Sequence, residues 1–174
     1  MKNIIQAVFI DRDGTIGGDG EVIYPGEFTL YPFTKNAFKL LKKENIKIFA
    51  FTNQPGISLG NSTEDRFVKE LLDFGLEDAY ICPHTPEQCC MCRKPEAGLL
   101  LKAAVKHGLD LSRCAVIGDR LTDMLAADKV HARKILVMTG VGKESVREYQ
   151  DKLLKIELDY IAANLLGAVE WILE

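Results

Sequence analysis

At 174 residues, with 47% hydrophobic and 27% charged side chains, the chain has the size and balance of one globular domain, which excludes a disordered or fibrous protein. Such a chain can bury roughly 70% of the surface its unfolded form exposes, so it needs no staples to hold a core. A net charge of −3, from 22 basic and 25 acidic residues, excludes a broad polyanion-gripping surface but allows one local phosphate site.

In chain order, Gln6–Asp11 (QAVFID) is an apolar, β-branched run closed by a polar turn, which predicts a buried strand. Thr34–Glu44 carries Ala37, Phe38, Leu40 and Leu41 between lysines, a helical stripe, and Lys47–Asn53 (KIFAFTN) is again a strand. Ser62 and Thr63 cap a helix running to Phe74, with Glu64 and Asp65 near its positive end. A strand over Ala79–Pro83 and a helix over Glu96–His107, closed by Gly108, follow, then a strand over Cys114–Asp119. The segments Leu121–Lys129, Lys134–Gly140, Glu144–Glu157, Asp159–Ala162 and Asn164–Leu173 continue the alternation, the Glu144–Glu157 segment as one element. The pattern predicts an α/β fold with a central parallel sheet covered on both faces, in one domain over residues 1–174. Ligands of such sheets sit beyond the carboxyl ends of the strands, which singles out Asp11, Asn53, His84 and Asp119.

No run of residues is apolar for the ~20 positions a membrane span requires. The N-terminal MKNIIQAVFID meets an aspartate before a signal-peptide core is complete. Of five cysteines, four crowd between Cys82 and Cys92, a distribution suited to a metal site in a reducing compartment and not to a disulfide framework. A cytoplasmic location is expected.

Asp11-Arg12-Asp13-Gly14-Thr15 follows the first strand. Two carboxylates two residues apart, with a glycine that lets the chain reverse, can divide the roles of nucleophile or metal ligand and proton donor. Thr52-Asn53-Gln54 offers a hydroxyl and two amides after the second strand. Arg93-Lys94-Pro95 places two cations before the Glu96–His107 helix, whose start also favours anions. Gly118-Asp119-Arg120-Leu121-Thr122-Asp123 closes the set with two more carboxylates.

That order of motifs, DxDGT, Thr, Lys, GDxxxD, resembles the haloacid dehalogenase-like phosphohydrolases over Val8 to about Gly140. The resemblance implies a three-layer α/β/α Rossmann-like fold and a Mg2+-dependent phosphatase. It implies Asp11 as the nucleophile that forms an aspartyl phosphate, and Asp13 as the acid and then the base. Mg2+ would be held by Asp11, the backbone carbonyl of Asp13 and Asp119, with Asp123 in support, while Thr52 and Lys94 hold the phosphoryl group. The charge logic agrees, since a carboxylate attacking an anionic phosphate needs cations to neutralise it.

Cys82-Pro83-His84 and Cys90-Met91-Cys92 together offer a C-x-H…C-x-C set of soft ligands, suited to a closed, structural zinc site in the loop 82–92. Cys89 is an alternative to Cys90, although the C-x-C spacing with Cys92 favours Cys90. The stretches ICPHTPEQCCMCRKP and IGDRLTDM resemble two branches of the family, the histidinol-phosphate phosphatase domains and the heptose 1,7-bisphosphate phosphatases. That resemblance implies Arg93 and Asn53 as substrate-binding residues. The loop IGGDGEVIYPGEFTLYP lacks the Asn that follows DGT-[LI] in the heptose type, and His131 or Ala132 stands where a glycine is common. The intervals Asp11–Thr52 and Thr52–Lys94 leave no room for a cap domain. The expected partner is a small phosphorylated metabolite, with neither nucleic acid nor membrane, and the expected state a monomer or weak homodimer. Two alternatives stand beside this, a nucleic-acid-end phosphatase and a catalytically retired zinc-containing phosphate-binding module.

Overall fold

Short strands whose central positions are apolar on both faces are satisfied between two helical layers, and that is how the chain folds. The computed structural model describes residues 5–174, so the first four residues of MKNIIQAVFID lie outside it. Strands β1 (Ala7–Ile10), β2 (Lys47–Asn53), β3 (Asp78–Cys82), β4 (Cys114–Gly118), β5 (Arg133–Val137) and β6 (Tyr160–Ala162) form one parallel sheet in the order β3-β2-β1-β4-β5-β6. The helices are α1 (Thr34–Lys43), α2 (Glu64–Asp73), α3 (Gly98–His107), α4 (Leu121–Asp128), α5 (Gly142–Glu148), α6 (Gln150–Lys155) and α7 (Leu165–Leu173). Every residue of β1 is buried, and its side chains alternate between two cores. Val8 and Ile10 face α1, α2 and α7, whereas Ala7 and Phe9 face α3, α4 and α6. The result is the three-layer α/β/α fold, with no cap domain inserted among the described residues.

The helix ends follow local chemistry. Thr63 caps α2 by accepting the Arg66 N–H, and Asn164 caps α7 by accepting the Gly167 N–H. Position 131, where a glycine is common, has φ +57, so His131 carries the left-handed turn that glycine would otherwise provide.

Two expectations change. The segment Glu144–Glu157 is not one helix: it breaks at Tyr149 (φ −119, ψ 24), which ends α5 and starts α6. The break lets Ser145 donate to the Asp119 carbonyl while Leu153 packs into the core beneath β4. The helix predicted from Glu96 begins instead at Gly98, because Glu96 N–H closes a turn on the Arg93 carbonyl. Among the described residues, no helix is long and apolar enough to cross a membrane.

Candidate active site

The sheet order makes β1 the point at which the chain's direction across the sheet reverses. β2 and β3 extend the sheet to one side of β1, and β4, β5 and β6 to the other. Loops leaving the carboxyl ends of β1 and β4 therefore diverge, and the crevice between them is where α/β sheets bind ligands. Asp11 follows β1 and Asp119 follows β4, and the Asp11 N–H still donates to the Ile117 carbonyl (2.9 Å). Gly14 reverses the chain at φ +84, and a Cβ there would strike the Asp119 carboxylate. Glycine at this position is what lets the two acidic loops approach each other.

Asp11, Asp119 and Asp123 are all buried, with ligand atoms within 4.8 Å of one another. Lys94 reaches into this cluster, its Nζ donating to Asp11 Oδ1 (2.9 Å), Asp123 Oδ1 (2.5 Å) and the Phe51 carbonyl (2.8 Å). Burial alone would lower the Lys94 pKa, but Asp11 and Asp123 outweigh it and hold the ammonium charged. One ammonium does not balance three carboxylates. Burial, then the charges of Asp11 and Asp123, push Asp119 up to about 8. Burial pushes Asp123 up to about 6 against the pull of Lys94. Both Asp123 oxygens are engaged, one by Lys94 and the other by the Arg120 N–H (3.0 Å). Asp119 differs: Oδ2 accepts the Val141 N–H (2.9 Å), while Oδ1 is buried without a hydrogen-bond partner among the described residues. An orphaned carboxylate oxygen beside surplus negative charge fits a hard divalent cation with oxygen ligands.

Asp13 is held on both sides. Gln54 Nε2 donates to its Oδ2 (2.6 Å) and to Thr52 Oγ1 (3.0 Å), and Arg12 Nη1 donates to its Oδ1 (2.6 Å). Burial raises Asp13 to about 6, with Arg12 opposing and Asp11 adding to the rise. A carboxyl group near pH 6 can both donate and accept a proton at neutral pH. From the sequence, Gln54 is an amide available to phosphate oxygens and Arg12 carries no role; the structure puts both on Asp13. Gln54 sits two positions past Thr52, where strand alternation returns a side chain to the same face, and that was the available signal.

Beyond β3, Cys82, His84, Cys90 and Cys92 converge, with neighbouring Sγ and Nδ1 atoms 3.2–3.6 Å apart. Three thiols and an imidazole at that spacing suit a tetrahedral soft-metal site with a Zn–S length of about 2.3 Å. Cys89 stands apart: at φ +47 its backbone turns the side chain away, toward the Pro86 carbonyl. The Cys90–Cys92 turn is braced by Arg93 N–H on Cys90 Sγ (3.3 Å) and by Gly98 N–H on the Met91 carbonyl (3.1 Å). The first N–H of α3 therefore holds the cysteine turn and does not point at an anion. Asn53 clamps the Lys94 backbone from the other side, accepting its N–H (3.1 Å) and donating to its carbonyl (3.4 Å). The cysteine turn and the end of β2 thus fix Lys94 between them.

These groups open onto a cavity of about 290 Å³ lined by Asp11, Asp13, Thr52, Asn53, Arg93 and Lys94, all foreseen from the sequence. Arg120, Thr122, Gly20, Val22 and Pro55 complete the wall and were not foreseen. Arg120 is aimed by its Nη2 donating to the Gly20 carbonyl (2.8 Å), a contact between residues 100 positions apart.

A family profile described as HAD-hydrolase-like matches residues 91–168. A D-glycero-beta-D-manno-heptose-1,7-bisphosphate 7-phosphatase from Helicobacter pylori is 35% identical, over 90% of this chain and 97% of that protein. The chain belongs to the haloacid dehalogenase-like hydrolases. A second relative of the same name, from Escherichia coli K12, is 37% identical over 80% of this chain and 83% of its own length. Among solved structures of the family, D,D-heptose 1,7-bisphosphate phosphatase from B. bronchiseptica, complexed with magnesium and phosphate, superposes with a TM-score of 0.82. It is 26% identical and covers 97% of this chain and 98% of its own. The haloacid dehalogenase-like chain described here is thus a phosphatase of small phosphate monoesters.

Proposed function

We propose that the substrate is a phosphorylated sugar of the heptose bisphosphate type and that Asp11 carries the transferred phosphoryl group. The observation that carries this reading is the buried ammonium of Lys94 between Asp11 and Asp123, beside the unpartnered Oδ1 of Asp119. Asp11, Asp119 and the backbone carbonyl of Asp13 would hold Mg2+, with Asp123 behind them, and the bound ion supplies positive charge to the phosphoryl oxygens. Lys94 and the Thr52 hydroxyl bind those oxygens from the protein side. An Asp11 carboxylate oxygen attacks phosphorus as the bond from phosphorus to the sugar oxygen breaks. Asp13 delivers its proton to the departing oxygen. Asp13 then takes a proton from water as that water attacks the aspartyl phosphate, releasing inorganic phosphate and restoring Asp11.

Cys82, His84, Cys90 and Cys92 would hold Zn2+ in a closed, structural site that keeps Arg93 and Lys94 in place. Arg93 and Arg120 face the same cavity as Lys94, which suits a substrate bearing a second phosphate. Five unpaired cysteines support a reducing, cytoplasmic setting, with the 174 residues working as one domain.

The test is inorganic phosphate release, with Mg2+ present, from heptose 1,7-bisphosphate, sugar monophosphates, histidinol phosphate, nucleotides and a 3′-phosphorylated oligonucleotide. Preference for the sugar bisphosphate is expected. Preference for the oligonucleotide would instead support a nucleic-acid-end phosphatase, and binding without release a retired enzyme.

A further inference from the structure

The most buried large side chain near the site belongs to no step described above. Arg12 is fully buried, its guanidinium lying 3.8 Å from the Phe28 ring centroid and 5.0 Å from that of Phe67. Its donors are divided. Nη1 donates to Asp13 Oδ1 (2.6 Å), while Nη2 and Nε both donate to Glu70 Oε1 (2.7 and 3.2 Å). Glu70 lies on α2 one turn beyond Phe67, and its Oε2 accepts the Gly26 N–H (2.9 Å), in the loop whose earlier residues Gly20 and Val22 wall the cavity.

If Arg12 served only to anchor the fold, a guanidinium between two carboxylates would be free to give either one its bidentate edge. Glu70 instead engages two of its donors, and Asp13 receives one. That single bond leaves the opposite Asp13 oxygen to Gln54, so each carboxyl oxygen has one side-chain donor, with the Ile23 N–H of the cavity-wall loop adding a long contact to Oδ1 (3.5 Å). Without the Glu70 charge, the buried guanidinium would have Asp13 as its only anionic partner and would turn its fork onto it. That rotation would pull Asp13 off Gln54 and away from the leaving oxygen.

We propose that Arg12 and Glu70 are a positioning pair that orients Asp13 for proton transfer to the leaving group and couples that orientation to the cavity-wall loop. The inference rests on the reading of Asp13 as the acid of the phosphatase reaction. Its signature is dependence on the leaving group. A sugar alkoxide needs the proton, whereas p-nitrophenolate departs without one.

The experiment compares wild-type protein with Glu70→Gln on the sugar phosphate turned over fastest and on p-nitrophenyl phosphate. For Glu70→Gln we expect kcat/KM, which reports the steps through departure of the leaving group, to fall about 10-fold or more on the sugar phosphate and less than about 3-fold on p-nitrophenyl phosphate; the later hydrolysis, in which Asp13 is the base, is common to both substrates and enters kcat alone. Arg12→Lys, whose compact ammonium cannot serve both carboxylates, should give the same split and stands in if Glu70→Gln fails to fold. Equal losses of kcat/KM on the two substrates, or no loss on the sugar phosphate, would overturn the positioning role. A wild-type protein that releases phosphate from neither substrate would overturn the phosphatase reading, and the pair's role with it.

Discussion

In cation-free protein, Asp119 should keep its proton up to about pH 8, and that proton contributes to stability. An unfolded aspartate is ionised above its ordinary 3.8, whereas burial and the charges of Asp11 and Asp123 hold the folded group neutral to about 8. Between those values the folded state binds one proton more than the unfolded state. The free energy of unfolding therefore falls as pH rises, by about 1.4 kcal/mol per pH unit for one group. From about pH 5 to about pH 8 that amounts to about 4 kcal/mol undiminished, and to about 2–4 kcal/mol once water and side chains relax. Asp119→Asn has no proton to lose there. Urea unfolding of both proteins across this range, in Mg2+-free buffer that leaves zinc in place, isolates the effect as wild type minus variant. Added Mg2+ should reverse it, stabilising wild type most at the alkaline end, by about 2.7 kcal/mol at a hundredfold excess over Kd. A difference that stays flat with pH, or Mg2+ stabilisation equal at both ends, would refute the reasoning.

Three further outcomes follow from the geometry. Cys92→Ser removes one donor from the cysteine cluster, so bound zinc should fall from about one per chain to near zero, with phosphate release down about 10–100-fold as Lys94 loses its brace; full activity without zinc would contradict the coupling. Burial raises Asp78, but hydrogen bonds from Lys106, His107, the Ala79 N–H and Tyr80 outweigh it and leave the group at about 2. Its stabilisation is therefore present above 3.8 and lost as pH falls toward 2. Asp78→Asn should cost about 1 kcal/mol at neutral pH, after solvent screening, and progressively less as pH falls from 3.8 through about 2, as read from denaturant midpoints. His131→Gly relieves a left-handed backbone at φ +57 and should stabilise by about 0.5 kcal/mol, the relief exceeding the added chain entropy; a loss of stability would count against that account.

The sheet and its acidic edge were legible because strand periodicity reports which residues are buried, and the polar residue closing each apolar run must lie at a strand end. Asp11, Asn53, His84 and Asp119 fell out of that rule directly. What was not legible depends on which remote segments meet. The Arg12–Glu70 pair spans 58 positions and the Asn53 clamp on Lys94 spans 41, and neither leaves a local pattern. Cys89 and Cys90 are chemically identical in sequence, and the left-handed turn at Cys89 separates them. The break at Tyr149 is likewise tertiary, since Ser145 and Leu153 answer to different layers of the fold. His107, in the last turn of α3, stacks on Phe49 (4.6 Å) and pairs with Asp78 (3.0 Å), contacts with other elements that leave no local pattern.

The central claim is that Asp11 carries the phosphoryl group. It is tested most directly by steady-state phosphate release from heptose 1,7-bisphosphate with Mg2+, comparing wild type with Asp11→Asn. The account predicts rapid release by the wild type and a loss of about 10⁴-fold or more in the variant, with the thermal unfolding transition retained. Substantial release by a folded Asp11→Asn protein would contradict it.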